Sequence, residues 1–586
     1  MAHYTSDTKY SLEEKLVVAI DLGTTQSMTK PNIVLSHTRT SIRTTTLKYD
    51  LSTNGQVPSL VAYKDDELVA CGAETADCLG DPEYQIARWF KLCLHPDSAR
   101  VTDDPQYMSV KSESSLPLIE IPPLPPKISL IRVYSDLLKY LFDHTERFFV
   151  NNTPGGRNIW DRLRNKIAIV LATPNGWDTR QQLFMRDAVV AAGLIGKDQA
   201  DELIDYITEG EASVHYALAH SHSKLWLKKG VKFAVTDAGG STVDSTLYEC
   251  KEHTPKLVLE EVRASECIQA GGIFVDRAAR SMLVDKLKGS RYSNDEMINI
   301  MMTEFERKIK KIFDGTQPSS VLHFGYNSDT DRQLGITRGR LYLSTQEVQN
   351  AFDHTILQII TNCKVLLLGY EVQHLLLVGG FGESPYLQSR IREEFRQSGI
   401  SVVTVEEPSK KAAAEGAAIW YLKQLVTGRA ARYTVGTDAS EPFDPIAHSH
   451  HRERDPLVYM GEDGHKWVSG IFSIWVEKNQ ILEGNYQKVL FYQSLYDRLP
   501  DNLGTVISPV LRWEGAQSPI WARTALGDYE PEARVLCTLT GDLSRLRSSL
   551  KKRKRAKGQP YWVFEYQIIV SFGGTKLHAR IQWNEG

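Results

Sequence analysis

The chain is poor in what would tie it to an oxidising compartment or to a membrane. Only seven of its 586 residues are cysteine (71, 78, 93, 250, 267, 363 and 537), an odd count with no CxxC pair. A disulfide framework is therefore not expected. No run of about 18 apolar residues occurs, so no membrane-spanning helix is predicted. The opening residues, Met1 to Lys9, are polar and lack the apolar core of a signal peptide. The net charge is only −3 at pH 7, which points to neither nucleic acid nor a membrane surface as a partner. A cytoplasmic setting is the expectation. What remains is ordinary globular material, 42% hydrophobic and 24% charged, long enough for about two to four domains.

One stretch organises the rest. Phe233, Ala234 and Val235 read as a buried strand that ends in Asp237, followed by Gly239, Gly240, Ser241, Thr242 and Asp244. Glycines let backbone amides approach a phosphate. A carboxylate at a strand tip suits a hydrated magnesium ion, which prefers oxygen ligands and keeps its waters. The plainer reading is a β-hairpin with a glycine turn. The same grammar recurs about two hundred residues earlier, at domain-scale spacing: an apolar strand over 16–20, then Asp21, Gly23, Thr24, Thr25 and Ser27. Two such loops suggest a duplicated fold that grips one nucleotide from both sides.

Between and after these loops the reading is coarser. Lys30 and Pro31 disfavour a central strand, so 28–40 is read as irregular. Residues 56–63 read as a strand, 70–76 as a helix start and 84–92 as helix-like. The proline-rich 116–126 is a connecting loop or a PxxP ligand. A helix over 131–149, a strand over 166–172 and a helix over 179–194 follow. Ile204–Thr208 reads as a strand that passes into a helix over 212–219, with Glu209 and Glu211 at the helix N-terminus. Two acids there suit the helix dipole; alternatively Glu209 positions a water beside a nucleotide. Gly271 and Gly272 open another helix, and 304–313 is a basic helix carrying Lys310, whose plainer reading is a solvated face. Residues 341–363 read as helical. The strand 374–378 runs into Gly379, Gly380 and Gly382, with Ser384 as N-cap and Pro385 in the first turn. The helix 412–422 is rich in small residues. Beyond about 430 short alternating strands predominate. His448, His450 and His451 form a loop or a metal site lacking partners at ligand spacing. The basic run 551–557 is expected as an exposed hairpin loop, with a nuclear import signal as the alternative.

In this order the segments resemble the ATPase region of the 70-kDa heat-shock protein family, part of the actin-like ATPase superfamily, over about residues 15–425. The motifs are Asp21-Leu-Gly23-Thr24-Thr25, Thr208-Glu209-Gly-Glu-Ala212, Asp237-Ala-Gly239-Gly240-Ser241-Thr242, Gly271-Gly272 and Val378-Gly379-Gly380-Phe-Gly382. Trp89-Phe-Lys91-Leu, the phrase Gly379–Leu387 and the closing Phe572-Gly-Gly-Thr-Lys-Leu are similar to the divergent heat-shock 70-kDa protein 12 branch. The resemblance implies a two-lobed α/β fold of duplicated ribonuclease-H-like domains, with lobes at 15–230 and 231–428 and a β-rich domain at 429–586. It implies ATP or ADP with magnesium. Asp21 and Asp237 would hold the hydrated metal, and Thr24, Thr25 and Thr242 would touch phosphates. Gly23, Gly239, Gly240 and Ser241 would form the loops, with Gly271 and Gly272 facing sugar and phosphates. Glu209 would position the attacking water, with Lys91 as the catalytic lysine. Gly379 and Gly380 would pack on the adenosine beside Lys310.

This sequence departs from the pattern at several positions. Ser241 replaces a glycine; with a positive φ it would be strained by on the order of 1–3 kcal/mol and hydrolysis would slow. Glu383 stands where an arginine stacks on the base, and Lys410 replaces an acid. The tail shows no long helical lid, so a peptide-binding unit of the usual kind is not expected. Three functions compete: a slow, chaperone-like ATPase with unidentified protein clients or co-chaperones, a nucleotide-binding scaffold without turnover, and a sugar or polyol kinase of the same superfamily.

Overall fold

The apolar run after Lys15 forms strand β1 (Lys15–Leu22), buried on both faces as a central strand should be. The computed structural model describes residues 15–34, 57–95, 122–221, 223–254, 257–405, 412–423, 425–446, 457–484, 486–544, 546–556, 558–572 and 578–583. The tail 1–14, the stretch 35–40, residues 116–121 of the proline-rich segment, Lys410, the histidines 448, 450 and 451, Lys557 and the closing segment 573–577 lie outside the described residues. The chain forms two units. One comprises Met1–Trp177, Gln181–Leu259 and Ser265–Leu425; the other comprises Asp178–Arg180, Glu260–Ala264 and Val426–Gly586.

In the first unit β1 pairs antiparallel with β2 (Gln26–Val34), and β3 (Val57–Pro58) pairs with the start of β2. Strands β4 (Leu60–Lys64), β5 (Glu67–Cys71) and β6 (Gln85–Arg88) make a side sheet with β4 at its centre. Helices α1 (Leu130–Asn152) and α2 (Gly156–Leu163) lead to β7 (Ala168–Thr173), parallel to β1. Then come α3 (Thr179–Ala191), α4 (Ala200–Leu203), β8 (Ile204–Thr208), parallel to β7, and α5 (Glu209–His220). The sheet order is β3-β2-β1-β7-β8.

The pattern then repeats. The strands β9 (Lys232–Ala238) and β10 (Val243–Glu252) form an antiparallel hairpin, followed by β11 (Val258–Glu261) and β12 (Glu266–Ile268). An inserted block holds α6 (Gly272–Leu287), α7 (Asp295–Glu304), α8 (Lys310–Ile312) and the small sheet of β13 (Ser319–His323), β14 (Ile336–Thr337) and β15 (Arg340–Ser344). Helix α9 (Thr345–Leu367) matches α1 in length, 23 residues each. Its start is fixed by a capping box between Ser344 and Glu347. Strand β16 (His374–Val378) is parallel to β9; α10 (Pro385–Arg396), β17 (Ser401–Thr404) and α11 (Ala412–Lys423) complete the half. The order β17-β16-β9-β10-β11 mirrors the first sheet. Each half's last helix packs on the other half's sheet. Helix α5 contacts β9 and β10, while Ala413, Ala417 and Trp420 of α11 share a core with Val17, Ala19 and Val170. At the crossing a Cβ on Gly416 would lie 1.8 Å from the Ala212 carbonyl oxygen, so only glycine fits.

Four local expectations change. Lys30 and Pro31 lie within β2, opposite Ala19 and Val18. Beyond Ser27, β2 has no outer neighbour among the described residues, and proline is tolerated on an edge. Lys30 is buried and bonds Glu415 of α11 at 3.2 Å. The segment 84–92 is not a helix: Gln85–Arg88 pairs with β4, and only Phe90–Leu94 turns, as a 3-10 helix. The segment 70–76 likewise ends β5 and enters a 3-10 helix, Gly72–Cys78. Residues 340–344 form a strand before α9 begins at Thr345.

In the second unit, Thr434–Pro442, Val458–Met460, Lys466–Val476, Thr505–Trp513 and Ala533–Asp542 form one sheet. Gln487–Tyr496, Lys551–Lys554, Pro560–Ser571 and His578–Trp583 form another. Trp475, Val510 and Leu536 of the first meet Ile568 and Val570 of the second in one apolar core, as in a sandwich. No α-helix occurs among the described residues of 426–586. The basic run is not a loop: Lys551–Lys554 is an exposed edge strand on Pro560–Ser571, with Lys551 and Arg553 both paired to Glu565 at 2.7 Å. Lysines are suited to an edge because they discourage pairing with another chain.

Candidate functional site

The two hairpin turns, 23–25 and 239–242, are built alike and touch. In the first, a Cβ on Gly23 would lie 2.0 Å from the Gln26 carbonyl oxygen, so the turn requires glycine. Ser59 holds it by donating to the Gly23 carbonyl at 2.6 Å. In the second, the Gly239 N–H donates to the Thr242 carbonyl at 2.9 Å. The hairpin and phosphate-loop readings of this stretch thus describe one object. This turn sits on the start of α6: the N–H groups of Gly271, Gly272 and Ile273 donate to the carbonyls of Ser241, Gly239 and Gly240. A Cβ on Gly271 would lie 2.5 Å from the Ser241 nitrogen. The loops meet through Thr24 and Ser241, whose hydroxyls lie 2.6 Å apart, and through Thr25, whose Oγ1 lies 3.0 Å from where a Cβ on Gly240 would be. Thr242 is buried.

Acidic side chains gather at these strand ends. Asp21 sits on β1 opposite Met28 and Ala172; Asp237 sits on β9 directly opposite Asp244. Burial raises the Asp21 carboxyl to about 7; Glu209 adds to the rise and Lys91 opposes it. Burial raises Asp237 to about 8; Glu209, Asp244 and Asp21 push it up, against a hydrogen bond from Ser213. Lys91 Nζ lies 2.6 Å from Glu209 Oε1, both side chains nearly enclosed. Burial alone would depress the Lys91 ammonium, but Glu209, Asp21 and Asp244 outweigh it and hold it above its ordinary range. Glu209 opens α5, whose N-cap is Thr208.

The remaining predicted positions lie on α6, α8 and the loop after β16. Gly379 has φ +87, and a Cβ there would stand 2.2 Å from Asp237 Oδ1; around Gly380 there is open space. Phe381 of this loop packs near Phe352, whose neighbours include Phe313 and Tyr386. Lys310 is not a free solvated charge. It bonds Asp276 of α6 at 2.6 Å and lies 3.1 Å from the Cβ position of Gly272. Ser241 is not strained: it is absent from the residues with positive φ, so the penalty expected of a side chain there does not apply.

Sequence reasoning missed four buried contributors. Ser213 lies four positions after Glu209, one helical turn on, and that spacing was a usable signal. Asn175 donates its N–H to Asp244 Oδ1 at 2.7 Å and accepts from the Gly210 N–H at 3.2 Å. Trp177 and His95 bond each other, Nε1–H to Nδ1, at 3.1 Å, and Lys91 Nζ stands 5.7 Å from the Trp177 ring centre. Nothing local marked His95.

A magnesium nucleotide fits the chemistry of these residues. Two buried carboxyls raised to about 7 and about 8 call for a cation, the hydroxyls of Thr24, Thr25 and Ser241 gather where the two turns touch, and the space around Gly380 is open. Among the described residues no cluster of three or more His, Cys, Asp and Glu could hold a metal directly.

Comparison with known proteins gives the same direction. A family model described as Hsp70 protein matches residues 17–423. Heat shock 70 kDa protein 12B of Homo sapiens is 21% identical over 426 residues, 60% of this chain and 60% of that protein. Heat shock 70 kDa protein 12A of Mus musculus is 22% identical over 389 residues, 53% and 56% respectively. Chaperone protein DnaK of Psychrobacter cryohalolentis is 24% identical over 423 residues, 69% and 58%. The chain thus spans less than two thirds of the length of these relatives. No helix among the described residues is long and apolar enough to cross a membrane.

Proposed function

We propose, from the premise that this chain belongs to the Hsp70 family, that it binds ATP or ADP with magnesium where its two glycine loops meet and hydrolyses ATP slowly. The observation that carries the reading is the convergence of Asp21, Asp237, Glu209 and Lys91 beside two touching hairpin turns. Residues 15–230 and 231–428 are read as the two lobes, and 429–586 as a β-rich domain. Bound magnesium would supply positive charge to the phosphates. Asp21 and Asp237 would orient its waters, and their burial keeps bulk water from competing. Thr24, Thr25, Thr242 and the loop amides would hold phosphate oxygens, and Lys91 would add a fixed positive charge. Glu209 would orient the attacking water.

Slow turnover is supported by two contacts that must be exchanged before chemistry. The Glu209 carboxylate is engaged by Lys91 at 2.6 Å, and Ser241 is engaged by Thr24 at 2.6 Å. In phosphoryl transfer the protein acts chiefly by positioning, so groups bonded to each other are not yet placed for reaction. The same contacts favour the second reading, a nucleotide-binding scaffold without useful turnover. The tail is proposed to lack a peptide-binding unit of the usual kind, since its described residues include no helical lid.

The test is calorimetric titration with ADP and ATP, with magnesium or with EDTA, followed by single-turnover measurement of phosphate release. Magnesium-dependent binding with slow release supports the reading; binding without release supports the scaffold. No binding of either nucleotide refutes both.

A further inference from the structure

Ser241 is the point where two side chains of the first half converge on a loop of the second. Its Oγ lies 2.6 Å from Thr24 Oγ1 and 3.4 Å from His95 Nε2. His95 in turn receives Trp177 at 3.1 Å on its other nitrogen. All four side chains are buried.

The chemistry of the groups fixes the direction of this chain from Trp177 to Ser241. An indole N–H can only donate, so His95 Nδ1 is an acceptor and carries no proton. The imidazole proton is therefore on Nε2, which donates to Ser241 Oγ. Whichever of Ser241 and Thr24 donates across their 2.6 Å contact, the pair keeps one hydroxyl proton for a further acceptor. Such chains polarise cooperatively in a buried setting, and the protons of Trp177 and His95 both point along it towards Ser241.

We propose that His95 is a positioning residue of the phosphate site, orienting the Ser241 hydroxyl so that the loop pair offers an arriving phosphate a set of aligned donors. This rests on the nucleotide reading above. It also gives Ser241 a purpose: the hydroxyl adds a side-chain donor where a glycine would offer backbone alone, and His95 keeps that hydroxyl from turning a lone pair to the anion.

The experiment uses the full chain as wild type, His95→Ala, His95→Gln, Ser241→Gly and the double variant His95→Ala/Ser241→Gly. Side-chain nitrogen NMR of the nucleotide-free wild type reads the His95 tautomer, thermal melts read the coupling of the two residues, and ADP with magnesium is titrated into each. The expected tautomer has its proton on Nε2. His95→Ala should weaken ADP roughly tenfold, and His95→Gln, whose amide can still donate to Ser241, should recover most of that. In the Ser241→Gly background the loss of His95 should change affinity little. A proton on Nδ1, equal losses in the alanine and glutamine variants, or additive losses in the double variant would overturn the proposal. A wild type that binds no ADP would instead refute the nucleotide reading and with it the phosphate role. The tautomer and the non-additivity of the melts would then still show whether His95 holds Ser241. Should His95→Ala not fold, the glutamine variant and the wild-type tautomer decide the matter.

Discussion

The two loops share one backbone plan and differ in what surrounds their carboxylates. Asp21 has a cation within reach, Lys91, although Glu209 opposes it. Asp237 has none among its influences: a serine hydroxyl supports it, while Glu209, Asp244 and Asp21 crowd it. Duplication supplied two equivalent strand tips, and the side chains added around them made one partly neutralised and left the other short of positive charge. A divalent cation should therefore be felt most strongly at Asp237.

Several measurements would break or sharpen this contrast. The largest effect is expected from backbone space. Gly379→Ala puts a methyl against Asp237 at a positive φ, combining left-handed strain of about 1–3 kcal/mol with a clash of similar size. Gly380→Ala, in open space, should cost less than about 0.5 kcal/mol. Denaturant unfolding of the pair checks this; equal losses would mean the loop relaxes and the second site is not tightly built. Next, Asp237→Asn should weaken magnesium-dependent ADP binding by roughly ten- to a hundredfold, the range seen when partners of a metal's ligands are removed. Asp21→Asn should weaken it less, and neither variant should matter in EDTA. If Asp21→Asn is the more damaging, the asymmetry is reversed.

The third effect is on pH. Both carboxyls are raised from 3.8, to about 7 and about 8. The native state holds protons that the unfolded chain has already released, so these groups stabilise fully below about pH 4. That stabilisation is lost as pH climbs through 7 and 8. Without nucleotide, wild type should lose on the order of a few degrees of melting temperature relative to Asp237→Asn between pH 6 and 9. Parallel melting curves would remove the charge argument. The smallest effect is expected for Ser213→Ala. Losing this donor should push Asp237 further up, moving the pH at which magnesium-dependent binding strengthens upward by less than about one unit. An unchanged midpoint would show that the hydroxyl is structural only.

What could be read beforehand was local. The strand–Asp–Gly grammar around Asp21 and Asp237 is written in consecutive residues, and so is the cap at Ser384. What could not be read depended on distant partners. Lys30 and Pro31 look like breakers until Glu415, far along the chain, receives the lysine and the strand proves to be an edge. Gln85–Arg88 turns into a strand only because β4 offers it an edge. The backbone angle of Ser241 was open in the sequence, and the histidine 3.4 Å from its hydroxyl follows a 3-10 turn as its C-cap, with no periodic signature.

The exchanged last helices carry a consequence for biosynthesis. Val17 and Ala19 leave the ribosome long before Ala413 and Ala417 of α11, which complete their cover. At about 5–20 residues per second, the nascent first half, its sheet completed by Thr208, waits roughly 10–40 s for α11 to begin at Ala412, with one sheet face bare. The second half, starting later, finds α5 already made. Vectorial synthesis thus leaves only the earlier half exposed, and the long-lived nascent species is a sheet lacking a lid. Any factor that shields apolar strands would act during that interval, and slowing elongation before residue 412 should lower the soluble yield more than slowing it afterwards.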